Sequence, residues 1–280
     1  MMLMAVLLSG SLFWADVGPK QALICPPSEL PLCLQQLPDR VKQQLPLSQE
    51  AFFDALGMRG AMSLPVEDES VAGMVLWAPH YLPQSQTAIW NGQNHEMLLQ
   101  HQPQLTLWHE LGHLEVKRLQ GNILPTELSE LDHEWLADTY LAWRCAKEWN
   151  SLELVWQQYH RRNLAVFSDI GNLSHWSPLY LIQVLNKYDL KQIAEFADFA
   201  TFVLSFYPEI RHYSPGEVAE FSSLLQHLFN RAGRQTLPGY MFWRREQLGK
   251  VLQPTLKQLV GTEMANRWLV KEKMLQQCDK

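Results

Sequence analysis

The chain reads as an α+β protein, because its strand-like segments come first and helical periodicity takes over from about residue 103. The best strand candidates are VAGMVLWAP at 71–79 and TAIW at 87–90, short apolar runs separated by Pro79 and Pro83. From Pro103 onward apolar residues recur at helical spacing, and no internal repeat is present. A chain of 280 residues that is 47% hydrophobic and 19% charged can bury a sizeable core and is not disordered. The mean hydropathy of −0.19 belongs to a soluble protein. The net charge of −6 argues against nucleic acid as the partner.

The elements follow in order. Met1 to Ala15 is apolar and uncharged in its side chains, too short to span a bilayer, which takes about 20 residues. With Ser9, Gly10 and Ser11 ahead of the Ala15-Asp16 bond, residues 1–15 read as a secretory signal peptide, which predicts export to the periplasm or the medium. The competing reading is a buried N-terminal segment in a cytoplasmic protein. No lipid anchor is expected, since Ile24 precedes Cys25 where a lipidation site needs a small residue. Cys25 and Cys33 stand close together in a Pro-rich stretch, and in an exported protein that spacing suits a disulfide. Cys145 and Cys278 are too far apart to be paired on spacing, and no C-x-x-C spacing suggests a cysteine zinc site.

Residues 16–46, rich in Pro and Gln, read as an irregular lead-in. Ser48 to Leu56 is a short helix stopped by Gly57. A long helix begins near Pro103, carries Leu107, Leu111 and Leu114 on one stripe, and ends at Gly121. A second begins near Thr126 or Ser129, where Ser129 and Asp132 form a capping box, and runs to about Asn150. The remainder is mostly helical, with breaks near 168–178, 208–216 and 232–240. The expected organisation is a signal peptide at 1–15, a catalytic core at 16–150 and a helical region at 151–280 that completes the cleft. The tryptophans at 135, 143, 149 and 156 are expected to pack the core. The pairs Arg161-Arg162 and Arg244-Arg245 read as solvated helix faces.

Charge is split unevenly. Residues 1–140 hold 6 basic and 16 acidic side chains, and residues 141–280 hold 17 and 13. Alone, that split describes a solvated acidic face.

The chemistry lies in His109-Glu110-Leu111-Gly112-His113, an H-E-x-x-H string. On a helix, residues four apart share a face, so His109 and His113 can bind one zinc while Glu110 stands beside it as general base. With 10 His and 19 Glu, random composition gives about 0.02 such strings, so chance is a poor account. Gly112 costs a helix about 1 kcal/mol against Ala, which suggests close packing beside the site. A catalytic zinc takes a third protein ligand. Glu134 fits, with Asp138 one turn on to receive the free ring N–H of His109 or His113. His133 competes, but neighbouring helix positions diverge by about 100°, and Glu134 has Asp138 directly behind it.

Over residues 109–138 the chain resembles the gluzincins, zinc metallopeptidases that pair H-E-x-x-H with a downstream Glu on a second helix. The metzincin variant is excluded, because Val116 and Leu119 stand where it needs Gly and His. The resemblance implies a zincin-like small antiparallel or mixed sheet packed on the active-site helix, with an edge strand, from 87–90 or 71–77, bordering the cleft. It also implies a Tyr or His from a later segment that stabilises the oxyanion. His175 is the candidate, with Tyr180, His212-Tyr213 and His160 as weaker ones.

The expected function is a zinc-dependent hydrolase acting on a peptide or protein, with metal ligands His109, His113 and Glu134. The alternatives are a zinc-stabilised binding module and a zinc amidase. A purely structural site has no use for Glu110 and usually takes four protein ligands, which favours the enzyme.

Overall fold

In the computed structural model, residues 11–229 and 241–276 are described, and they form an α+β arrangement. Four strands make a mixed sheet: β1 (Phe13–Val17), β2 (Lys20–Cys25), β3 (Ala61–Pro65) and β4 (Val71–Trp77). Their order is β1-β2-β4-β3, with β2 parallel to β4 and the other pairs antiparallel. The central strand β4 is buried at all seven positions, as a continuous apolar run between two partners requires. A separate hairpin pairs β5 (Ser85–Trp90) with β6 (Gln93–Leu98) around Asn91-Gly92, both at positive φ.

The 16–46 region is not an irregular lead-in. It supplies the last two residues of β1, all of β2, and the helices α1 (Leu30–Gln36) and α2 (Asp39–Lys42). The apolar core of β2 is only the run Ala22–Cys25, and its parallel pairing to β4 leaves no alternation to read. Phe13, Trp14 and Ala15, the last residues of the expected signal peptide, pair with Ile24, Leu23 and Ala22. Positions 1–10 of that segment lie outside the described residues, as do Cys278 and all of the 232–240 break.

Each face of the sheet is covered. On one side Leu23, Met74 and Leu76 pack with Leu30, Leu37 and Val41 and with Phe52 and Leu56 of α3 (Gln49–Leu56). The disulfide Cys25–Cys33 ties β2 to α1 within this layer. Helix α3 is capped by Ser48, whose hydroxyl accepts from Ala51 N, and ends at Gly57 with φ +57°. On the other side Ile24, Val75 and Trp77 meet Leu107, Leu111 and Leu114 of α4 (Gln102–Leu119).

Helix α5 (Glu130–Arg144) packs against α4 more extensively than any other two elements meet. The expected capping box is present: Ser129 Oγ accepts from Asp132 N, and Asp132 accepts from Ser129 N. The helix stops at Arg144 and a π turn carries on to Trp149, with Asn150 at positive φ.

Helices α6 (Glu153–Ser168), α7 (Pro178–Lys187), α8 (Leu190–Glu195), α9 (Phe199–Phe206), α10 (Pro215–Phe229), α11 (Phe242–Val260) and α12 (Thr262–Lys271) complete the layer beyond α5. One apolar cluster runs from Val17 to Met274, and Trp135 is a fully buried member of it. Trp143, Trp149 and Trp156 pack against its margin. Among the described residues no helix is long and apolar enough to cross a membrane.

Candidate metal centre

Helix α4 presents His109 and His113 on the side facing α5, and α5 presents Glu134 and Asp138 in return. The two helices approach closely because of Gly112: a Cβ there would lie 2.9 Å from both Cα and O of Ala137. The glycine is thus held by the neighbouring backbone, as its cost to the helix suggests.

His109 Nε2 and His113 Nε2 are 3.1 Å apart. Glu134 closes the group, with Oε2 3.3 Å from His109 Nε2 and Oε1 3.5 Å from His113 Nε2. Ligands at the usual zinc distances on a tetrahedron stand about 3.4 Å apart, so these donors are spaced to hold an ion of that size. Among the described residues, His109, His113 and Glu134 are the His/Cys/Asp/Glu group able to hold a metal. His133 lies outside it, although it lines the same cleft.

Asp138 is fully buried behind the ligands. Its Oδ1 lies 2.8 Å from His109 Nδ1, a distance of contact without the alignment of a hydrogen bond. It accepts from Arg162 Nε (2.9 Å), Ser177 Oγ (2.5 Å) and Gln158 Nε2 (3.1 Å). Arg162 Nη2 also donates to Glu134 Oε2 at 3.0 Å and lies 3.2 Å from His109 Nε2. Arg162 is therefore no solvated helix face. Its side chain is 13% exposed and bridges both carboxylates of the site. The second arginine pair is likewise engaged: Arg244 binds Glu217 and Glu220, and Arg245 meets Glu272.

The electrostatics follow from these contacts. Burial alone would raise both acids. For Glu134, Arg162 with His109 and His113 overrides it, and for Asp138, Arg162 and His109 do so, holding both well below the carboxylate range. Burial favours a neutral His109, yet Asp138 and Glu134 outweigh it and push the imidazole up to about 9. A metal entering the site displaces that proton. Burial, joined by His113, lowers His133.

The group opens into a cleft of about 610 Å³ between β3 and the helices. Glu110 lies in it, and its Oε2 accepts from Ser63 N at 2.8 Å. The strand beside the metal group is therefore β3, and neither expected candidate fills that place. Strand 71–77 is interior to the sheet, and 87–90 belongs to the hairpin. The hairpin instead borders a larger cavity of about 890 Å³ against α6 and α10, which has no metal-binding group. The AMSLP run of β3 offers only a faint strand signal, and its pairing with β4 is what makes it one.

His175 ends a 3-10 segment at Ile170–His175 and reaches the cleft, more than half exposed, with Nε2 3.6 Å from Glu134 Oε1. Burial of its ring lowers its pKa. The other candidates do not line the cleft. Tyr180 is buried, stacked on Trp135, and accepts from Tyr213 N. His212 contacts the Tyr207 carbonyl, and buried His160 is bonded to Thr255. Arg162 and Ser63 are the participants that sequence reasoning missed. The only signal for either was the position of Arg162 on a helix that also presents apolar Val155, Tyr159 and Val166 to the core.

No family model, curated protein or solved structure matches the chain.

Proposed function

We propose that the protein is a zinc-dependent peptidase of gluzincin type, with a zincin-like core formed by the mixed sheet, α4 and α5. The observation that supports this most is the position of Glu110: a carboxylate that is not part of the metal group, beside it, in the open cleft and against an edge strand. A structural metal site needs no such group, and the three-donor set leaves a position for water or substrate. Zinc held by His109, His113 and Glu134 would supply Lewis acidity and lower the pKa of a bound water from 15.7 toward about 7.

The chain's own residues do the rest. Glu110 accepts the proton of the attacking water and returns it to the leaving amine. Asp138 faces the Nδ1 side of His109, leaving Nε2 for the metal. Arg162 keeps Glu134 and Asp138 ionised and fixed in place. His175, at the rim of the cleft, donates to the developing oxyanion in this reading. Because β3 residues alternate in direction and Ser63 N points away from β4 to Glu110, the Ala61 backbone groups and the Ser63 carbonyl are the ones left for an extended peptide.

Glu110→Gln should keep zinc stoichiometry and lower turnover of a peptide library by about 10²-fold or more. Metal analysis beside chelator-controlled cleavage assays checks this, and a fully active variant would refute the mechanism.

A further inference from the structure

Arg161 precedes Arg162 on α6 and lines the same cleft, but its surroundings differ. Its Nη1 donates to Gln102 Oε1 at 3.0 Å and to Gln158 Oε1 at 3.4 Å, both neutral amides. Among the described residues its Nε and Nη2 have no partner, and neither is sealed from solvent. Among the described residues no carboxylate is in ion-pair contact with it. Burial, together with the adjacent Arg162 charge, pushes it down to about 10 against the pull of Asp138, so it remains a cation at neutral pH.

The other cations of the cleft are placed differently. Arg162 is committed to Asp138 and Glu134. Arg59 is bonded to the Leu56 and Ala55 carbonyls at the end of α3. Lys117 is exposed, where solvent screens it. Arg161 is thus a half-buried guanidinium, held in position by two amides, with donors facing an open cleft. A charge partly withdrawn from water without a paired countercharge is costly to keep. The guanidinium fork matches a carboxylate bidentately.

Its place along the cleft sets the range. Gln102, which holds Arg161, begins α4, and His109 lies seven residues on, roughly 10 Å along the axis. That is about three residues of extended peptide.

We propose that Arg161 is the docking point for a substrate carboxylate within about three residues of the bond attacked, so that the cleft selects anionic peptides. This deepens the peptidase reading and rests on it for the cleavage step. The carboxylate is either a free C-terminus or an acidic side chain.

The test uses short peptides of one sequence in three forms: free acid, C-terminal amide, and amide with Glu in place of Gln near its end. With zinc-loaded protein, at least one carboxylate form should show KM about tenfold lower than the neutral amide, with kcat little changed. The form that gains identifies the source of the carboxylate. Arg161→Gln should remove the preference, and Arg161→Lys should restore part of it. The same peptides are titrated calorimetrically into Glu110→Gln protein, which requires no turnover. Carboxylate-selective, Arg161-dependent binding without cleavage by the wild type would refute the peptidase reading and leave the docking site standing. Cleavage or binding that treats the acid and amide forms alike in the wild type overturns the Arg161 proposal, whatever the variants do.

Discussion

Gly112→Ala sets two known effects against each other at the metal centre. On an unencumbered helix the substitution stabilises by about 1 kcal/mol. Here the new methyl would meet Ala137 Cα and O at 2.9 Å and Tyr140 Cβ at 3.1 Å. Carbon contacts are comfortable at about 3.5–4.0 Å, so α4 and α5 must part by roughly half an ångström. Two of the three obstacles are backbone atoms, which cannot swing aside. Overpacking of this kind costs about 1–3 kcal/mol, so the net effect should be destabilisation of about 1 kcal/mol. The same displacement separates His109 and His113 on α4 from Glu134 and Asp138 on α5. Metal sites tolerate about 0.2 Å, so zinc affinity should fall about tenfold or more. Urea unfolding of the metal-free protein and zinc competition against a chromophoric chelator measure the two effects. A variant about 1 kcal/mol more stable than wild type, with unchanged zinc affinity, would refute the claim that this glycine sets the helix spacing.

Two further expectations concern buried polar groups. Asp138→Asn takes a charge from Arg162 and weakens the hold on His109, and should cost about 3 kcal/mol of stability and 10–100-fold in zinc affinity. Denaturant unfolding and zinc titration check it, and no change in either would mean that Asp138 does not orient the ligand. Burial pushes His160, which is bonded to Thr255 Oγ1, down to about 4 from 6.5. The unfolded chain therefore binds this proton below pH 6.5 while the folded chain stays neutral, so stability is full above 6.5 and falls as pH drops toward 4. The loss is of the order of 3 kcal/mol, and His160→Gln should flatten that part of a stability–pH profile.

The helices α4 and α5 were legible because each carries its own start signal: Pro103 for one, and the Ser129–Asp132 box for the other. Their apolar stripes then fixed which faces turn inward. The metal group was legible for the same reason, since i to i+4 spacing places His109 with His113 and Glu134 with Asp138 before any tertiary contact is known. The strands β2 and β3 were not, because β3 exists only through pairing with β4 about 10 residues away, and β2 is set between β1 and β4, the latter some 50 residues away. A five-residue run such as AMSLP has no local property that makes it an edge strand. The cleft wall facing Glu110 was therefore sought in 71–77 or 87–90, the segments with the strongest local signal.

The division of charge along the chain takes on a structural meaning through Arg162. The carboxylates Glu134 and Asp138 belong to the acidic half and Arg162 to the basic half, and they meet in one buried group. Two carboxylates facing each other without a cation would repel and would tend to take up protons, and a protonated Glu134 cannot ligate a metal. Arg162 compensates one of the two charges and protonated His109 the other, so a dication binds by displacing the His109 proton and then meets one uncompensated carboxylate charge. The arginine pair on α6 is then divided in role by one residue of helix rotation. Arg162 turns into the carboxylates and prepares the metal group, while Arg161, about 100° around the axis, is left among amides facing the cleft. Adjacent like charges are unfavourable within a protein unless each has something to answer it. For Arg162 that is Glu134 and Asp138, whereas among the described residues Arg161 has no carboxylate in ion-pair contact, only the more distant pull of Asp138, which leaves its open donors to a ligand.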